Sequence, residues 1–186
     1  MKNDKNPYVC PSEFSGSLDN SIRRWIQNPQ KILNPYIKKG MTVLDLGCGP
    51  GFFTVDIAKM LSDSGKVVAA DLQEGMLEKV ARKIKGTSYE QRVELHKCQI
   101  NRIGINEKMD FILAFWMVHE VPDQVSLFKE LKSILNHEAK IFIIEPKMHV
   151  TARSFEEMGN IIEKSGFEIL GSPKVIFSRT LLAGHN

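Results

Sequence analysis

A short strand-like run, Val43-Leu44-Asp45-Leu46, passes directly into Gly47-Cys48-Gly49-Pro50-Gly51-Phe52, and few folds accommodate that junction. Buried strands read as brief, nearly continuous apolar runs. Three closely spaced glycines let the backbone turn sharply and leave no Cβ between the main chain and a ligand. Residues 53–61 then carry an amphipathic helical pattern, so strand, glycine turn and helix follow one another without a spacer. Free N–H groups at such a helix start suit a polar or anionic ligand group. Asp71, 20 residues beyond Gly51, closes the next strand-like run, where a carboxylate can accept hydrogen bonds from both hydroxyls of a ribose. A dinucleotide site wants its third glycine three positions after the second, whereas Gly47-x-Gly49-x-Gly51 brings it a residue early. A purely structural turn would explain the glycines alone, but not the acidic end of the next strand.

The remaining chain repeats this alternation. Lys66-Val67-Val68-Ala69-Ala70, Phe111-Ile112-Leu113-Ala114-Phe115 and Ile141-Phe142-Ile143-Ile144 read as strands buried on both faces. Residues 76–84 and 125–135 read as amphipathic helices, with Leu127, Phe128, Leu131, Ile134 and Leu135 on one face of the second. Strands alternating with helices imply right-handed crossovers and a parallel sheet covered on both sides, the doubly wound α/β class. The last third differs. Ser154-Phe155-Glu156-Glu157 fits a capping box and predicts a helix that ends near Gly166. Strands over 167–170 and 174–182, joined by Gly171-Ser172-Pro173, are too close for a parallel crossover, so the sheet is expected to end in an antiparallel hairpin.

The 186 residues suit one domain, with 42% hydrophobic and 25% charged residues as in soluble globular proteins, and no repeat or linker divides them. The N-terminus shows no apolar core of a signal peptide and no run long enough to cross a bilayer, which points to the cytoplasm and to no membrane partner. Cys10, Cys48 and Cys98 form no Cys-x-x-Cys pair and have no His at ligand spacing, so neither a disulfide framework nor a metal site is expected. A net charge of +3, spread along the chain, does not demand a nucleic-acid partner.

Residues 43–52 and Asp71 together resemble the class I S-adenosylmethionine-dependent methyltransferases, and Asp110-Phe111-Ile112-Leu113 with Val118-His119-Glu120-Val121-Pro122-Asp123 resembles the fourth strand and following loop of small-molecule members related to the quinone-biosynthesis enzymes. The resemblance runs from about Gly40 to the C-terminus. It implies a Rossmann-like, mostly parallel seven-stranded sheet ending in the hairpin, with 40–186 as the cofactor-binding core and 1–39 as a helical cap of the same domain. S-adenosylmethionine would lie on Asp45, Gly47, Cys48, Gly49 and Gly51, with its ribose on Asp71 and its adenine between Leu72 and Ile100, near Phe115. Relatives carry Gly-Asp after the third strand, where this chain has Cys98-Gln99; the Gln99 amide oxygen can still receive the adenine amino group. On the same resemblance, Asp71→Ala is expected to weaken cofactor binding while leaving stability almost unchanged.

The sulfonium methyl is already activated, so positioning the acceptor and excluding water are the main tasks. Where the acceptor carries a proton, His119 and Glu120 are the nearest candidate bases; alternatively His119 is a structural turn residue. Ile144-Glu145-Pro146-Lys147 leads within a few residues into a helix, which leaves no room for a lid after the fifth strand. Acceptor recognition is therefore expected from Trp116 and from the N-terminal cap, where Tyr8, Cys10, Phe14 and Trp25 would face the cleft. A small-molecule acceptor is the preferred reading. An RNA or protein acceptor, or a non-catalytic cofactor-binding module, is the alternative. Against base methylation, Ala114-Phe115-Trp116-Met117 lacks the Asn/Asp-Pro-Pro-aromatic motif.

Overall fold

The computed structural model describes residues 26–185. Seven strands form one sheet: β1 (Thr42–Leu46), β2 (Lys66–Asp71), β3 (Val93–Lys97), β4 (Met109–Phe115), β5 (Leu135–Pro146), β6 (Phe167–Gly171) and β7 (Ser178–His185). Five α-helices accompany them: α1 (Pro29–Leu33), α2 (Thr54–Met60), α3 (Glu74–Ile84), α4 (Gln124–Ile134) and α5 (Ala152–Lys164). The strand order is β3-β2-β1-β4-β5-β7-β6, and only β7 runs antiparallel to its neighbours. The fold is thus the doubly wound, mostly parallel sheet with an antiparallel end that the sequence predicts.

Alternation along each inner strand explains why a sheet of such apolar runs is stable. In β4, Ile112 and Ala114 enter one core while Phe111, Leu113 and Phe115 enter the other; in β5, Ile141 and Ile143 part from Phe142 and Ile144 in the same way. The first core is closed by Leu127, Phe128, Leu131 and Ile134 of α4 and by Met158 and Ile162 of α5. The second is closed by Leu33, Ile37 and the α2 residues Ile57 and Ala58, and Tyr36 stacks on Phe111 at 5.7 Å. Residues 29–37, assigned from sequence to the cap, therefore pack against the sheet face. Leu77, Val80 and Ile84 of α3 cover Ala69 on that same side.

Several boundaries differ from the sequence reading. Thr151, not Ser154, caps α5: its side chain accepts the Ser154 N–H at 3.1 Å. The fifth strand extends from Leu135 to Pro146, with a register irregularity between Met109 and Phe111 on its partner. The last strand starts at Ser178 instead of residue 174. Residues 172–177 form the reversal, in which the Ser178 N–H reaches the Val175 carbonyl at 3.2 Å and Phe177 adopts φ 60°. Pro173, with no N–H to give a ladder, instead offers its carbonyl to Thr180 Oγ1 at 2.5 Å.

The chain moves outward from β1 through β2 to β3, then returns to place β4 on β1's other side, which opens a crevice at the carboxyl ends of β1 and β4. A strand's position in this order sets its sensitivity to truncation. Ile112→Ala in central β4, where Ile112 is 0% exposed, is expected to cost about 2–5 kcal/mol in urea unfolding. Leu95→Ala in edge strand β3, where Leu95 is 38% exposed, is expected to cost under about 1 kcal/mol.

Candidate functional site

The crevice is a cavity of about 680 Å³ at the carboxyl ends of β1, β2, β4 and β5. Its first wall is the turn after β1. Gly47 and Cys48 both donate their N–H to the Ala70 carbonyl, at 2.8 and 3.0 Å, which binds the turn to the end of β2. Gly47 has φ 68° and leaves no room for a side chain, because a Cβ would lie 2.8 Å from Met117. The Gly49 N–H donates to Asp71 Oδ2 at 2.9 Å, and no atom lies within 4 Å of where its Cβ would be, so the main chain lies open there. Asp71 Oδ1 accepts the Gln73 N–H at 2.8 Å, just ahead of α3. Each oxygen of Asp71 still has a lone pair for a further donor. Burial raises the Asp71 pKa, and these backbone donors partly offset that rise.

Asp45 is 2% exposed and accepts the Thr54 hydroxyl at 2.6 Å, which joins β1 to the first turn of α2. Burial pushes its pKa up to about 7, against the Thr54 hydrogen bond and with help from Asp71. Gln99 opens a tight turn in which Gln99 and Arg102 exchange backbone hydrogen bonds, and Ile100, 56% exposed, projects from that turn while lining the cavity.

The opposite wall is the turn after β4. Trp116 takes φ 58°, rare for a residue with a side chain. It is held there by its N–H to the Ile144 carbonyl at 2.7 Å and by its indole N–H to Ser178 Oγ at 3.1 Å. A short 3₁₀ turn, Val118–Glu120, follows. His119 Nδ1 meets Glu145 Oε2, and the ring stacks against His149 at 5.9 Å. Burial alone would lower the His119 pKa, but the Glu145 hydrogen bond and the charges of Glu145 and Glu120 outweigh it and leave the value raised. Glu120 is pushed up to about 7 by burial and by Glu145 and Asp71, against the attraction of His119.

Most sequence-predicted residues therefore share this cavity. Asp45, Gly47, Cys48, Gly49, Asp71, Leu72, Gln99, Ile100, Phe115, Trp116, His119 and Glu120 all line it. Gly51 does not: it has φ 84°, and a Cβ there would meet Val80 of α3 at 3.1 Å, so its place is in packing between the turn and α3. Tyr8, Cys10, Phe14 and Trp25 lie outside the described residues. Sequence reasoning missed Glu145, His149 and Met117. A carboxylate directly after the buried run 141–144 was the available signal, since ligands bind at the carboxyl ends of such strands. Burial, with the charges of Asp45 and Asp71, raises the pKa of the Cys48 thiol, and burial pushes Cys98 up to about 12, so the surroundings favour the thiol over the thiolate at both. Among the described residues no group of three His, Cys, Asp or Glu side chains is placed to hold a metal ion.

The methyltransferase-domain family profile matches residues 37–171, well over half of the chain. This chain belongs to that family of methyltransferase domains and has the class I S-adenosylmethionine-dependent methyltransferase fold. A crystal structure of a S-adenosylmethionine-dependent methyltransferase from Aquifex aeolicus superposes with a TM-score of 0.84 at 28% identity, covering 94% of this chain and 98% of that one. The fold is shared also by Aeropyrum pernix fibrillarin, solved with natively bound S-adenosyl-L-methionine, at a TM-score of 0.64 and 11% identity over 80% of this chain and 68% of that one. Among curated sequences, the demethylmenaquinone methyltransferase of Lactobacillus johnsonii is 28% identical over 59% of this chain and 45% of its own length. That of Staphylococcus saprophyticus is 28% identical over 69% of this chain and 54% of its own length. The chain thus spans about half the length of these relatives. No helix among the described residues is long and apolar enough to cross a membrane.

The cavity fits the cofactor. Asp71 has lone pairs left for ribose hydroxyls, Gly49 leaves open main chain beside it, and Asp45, Asp71 and Glu120 suit a cation. The same bonds revise the expectation for Asp71→Ala. Besides weakening S-adenosylhomocysteine binding by about 1–3 kcal/mol in calorimetry, it deprives two backbone N–H groups of their acceptor and is expected to lower the unfolding free energy by a further 1–3 kcal/mol or so.

Asp45 and Glu120 also set a pH dependence. Their folded pKa values near 7 lie above their unfolded ones, and His119 is raised as well. Such groups contribute stability that is complete at low pH and lost as pH rises through about 7. The urea midpoint of the cofactor-free protein is therefore expected to fall between pH 5.5 and 8, and Glu120→Gln to narrow that fall. A midpoint that rises instead would show that these carboxylates ionise normally.

Proposed function

We propose that residues 1–186 form a single cytoplasmic domain that transfers the methyl group of S-adenosylmethionine to a small-molecule acceptor, with 40–186 as the binding core and 1–39 as its cap. One observation carries the reading: a single cavity joins the glycine turn and Asp71 to the turn bearing Trp116, His119 and Glu120. Its volume is that of a small-molecule site.

In this reading the glycine turn and Asp45 receive the methionine part of the cofactor, Asp71 the ribose, and Leu72, Gln99 and Ile100 the adenine, with Phe115 closing the inner end. When bound, the cofactor supplies an activated methyl group. The chain's own residues orient the acceptor beside Trp116, exclude water, and take up its proton at His119 or Glu120. Glu120, with a pKa near 7, holds or releases a proton within the working range. The names of the demethylmenaquinone methyltransferases suggest a ring acceptor of the quinone or hydroquinone type.

Thermal unfolding tests the cofactor half directly, since a ligand that binds only the native state raises the melting temperature. S-adenosylhomocysteine at 100 times its Kd is expected to stabilise the protein by about 2.7 kcal/mol, while NAD leaves the transition in place. A shift with NAD alone would overturn the reading. The acceptor half is tested by offering 1,4-dihydroxynaphthalene, catechol and a thiol with labelled cofactor; label is expected on a hydroxylated ring. A protein that binds the cofactor and methylates none of a broad small-molecule panel, but labels RNA or protein, would shift the assignment to a macromolecular acceptor.

A further inference from the structure

Glu145 occupies the end of β5 and is 0% exposed. The pairing of β5 with β7 at Glu145 and Arg179 belongs to the backbone, so the ladder gives the carboxylate no reason to be there. A buried carboxylate costs several kcal/mol unless donors compensate it. Both donors come from the turn after β4: the Val118 N–H reaches Oε1 at 2.9 Å, and His119 Nδ1 faces Oε2.

This arrangement decides the state of the histidine. A carboxylate only accepts, so the hydrogen of a neutral His119 sits on Nδ1 and the lone pair on Nε2. Nε2 has no hydrogen-bond partner among the described residues, and the ring lines the cavity with its side chain 22% exposed. His149, from the loop after β5, stacks on the ring and limits its rotation. The buried acid, the ring and the open nitrogen thus lie in series from the core to the cleft.

We propose that Glu145 is a positioning residue that holds His119 as the Nδ1–H tautomer, so that Nε2 takes the proton of a hydroxyl-bearing acceptor, a phenol or an enol. This rests on the methyl transfer proposed above and deepens it to an acceptor class. As the acceptor oxygen forms its bond to the methyl carbon, the carbon–sulfur bond breaks and its electron pair stays on sulfur. The hydroxyl proton passes to Nε2. The imidazolium so formed is paired with the Glu145 carboxylate until the proton leaves to water. The products are a methyl ether, neutral S-adenosylhomocysteine and one proton, which balances the charge of the sulfonium. A phenol, with a pKa of about 10, needs such a base near neutral pH. A thiol, with a pKa of about 8.5, is partly ionised without one, and its anion would meet the carboxylates of Glu120 and Asp71 that line the cavity.

The groups that face His119 are Glu145 from β5, Glu120 beside it on the turn and His149 from the loop after β5, while Asp71 at the end of β2 acts on Glu120. Imidazole ¹⁵N NMR of the cofactor-free protein reads the tautomer without turnover. At high pH, His119 is expected to show a protonated Nδ1 and a bare Nε2, with a midpoint above the ordinary 6.5. Glu145→Gln is expected to mix the tautomers and lower the midpoint. It should also reduce kcat for 1,4-dihydroxynaphthalene by about 10²-fold or more, while KM and S-adenosylhomocysteine affinity stay within about threefold. An Nε2–H tautomer in the unaltered protein overturns the proposal even if the glutamine variant does not fold. A folded Glu145→Gln with unchanged tautomer, midpoint and kcat overturns it too. Absence of S-adenosylhomocysteine binding in the unaltered protein would instead overturn the methyl-transfer reading, leaving the tautomer result to stand separately.

Discussion

The carboxylate of Asp71 takes one backbone N–H from the turn after β1 and another from the entry of α3, and the site's shape follows from that pair of bonds. The turn carries three residues with left-handed φ; two N–H bonds to the Ala70 carbonyl tie it to β2, and Lys83 of α3 donates to the Pro50 carbonyl at 2.6 Å. Without an acceptor for Gly49 the loop would have a part-buried donor unpaired on the side where the cleft opens. With it, the ends of two parallel strands and the starts of two helices become one unit. The same carboxylate keeps lone pairs toward the cleft, so the group that shapes the wall is also one that can accept from a ligand in it.

Several carboxylates line the cavity, and Glu145 stands behind it against His119. Asp45, Asp71, Glu120 and Glu145 are each partly or wholly withdrawn from water, and each meets the cost differently. Asp71 is compensated by backbone donors, Asp45 by the Thr54 hydroxyl, and Glu145 by a backbone N–H and an imidazole. Glu120 is offset by the attraction of His119, and burial still displaces its pKa to about 7, as it does that of Asp45. A site with this balance gains most from a cationic ligand, because added positive charge relieves the raised carboxylates at once. The upward shifts of Asp45, Asp71 and Glu120 thus make this end of the cavity electrostatically suited to a sulfonium.

The turn after β4 shows how the sheet supplies precision that a loop alone lacks. Trp116 holds a strained backbone angle because β5 takes its N–H and β7 its indole. Two residues further on, Val118 and His119 are fixed by a side chain from the end of β5. The antiparallel strand at the end of the sheet therefore reaches the site through Ser178, although none of its own residues lines the cavity.

Fold class and the cavity wall formed by the glycine turn and Asp71 were legible in the chain because their signals are local. Two-sided burial writes itself as short apolar runs, amphipathic helices between them force parallel crossovers, and a left-handed turn calls for glycine. Asp71 was legible for the same reason, lying at the end of a readable strand. The pairing of His119 with Glu145, the packing of Gly51 on Val80 and the seat of Trp116 on Ser178 were not. Each joins positions 26 to 62 residues apart, on elements that only sheet register and helix docking bring within a few ångströms. Local pattern selects the elements, whereas the lateral meeting of their ends, where the chemistry sits, depends on how the whole sheet assembles.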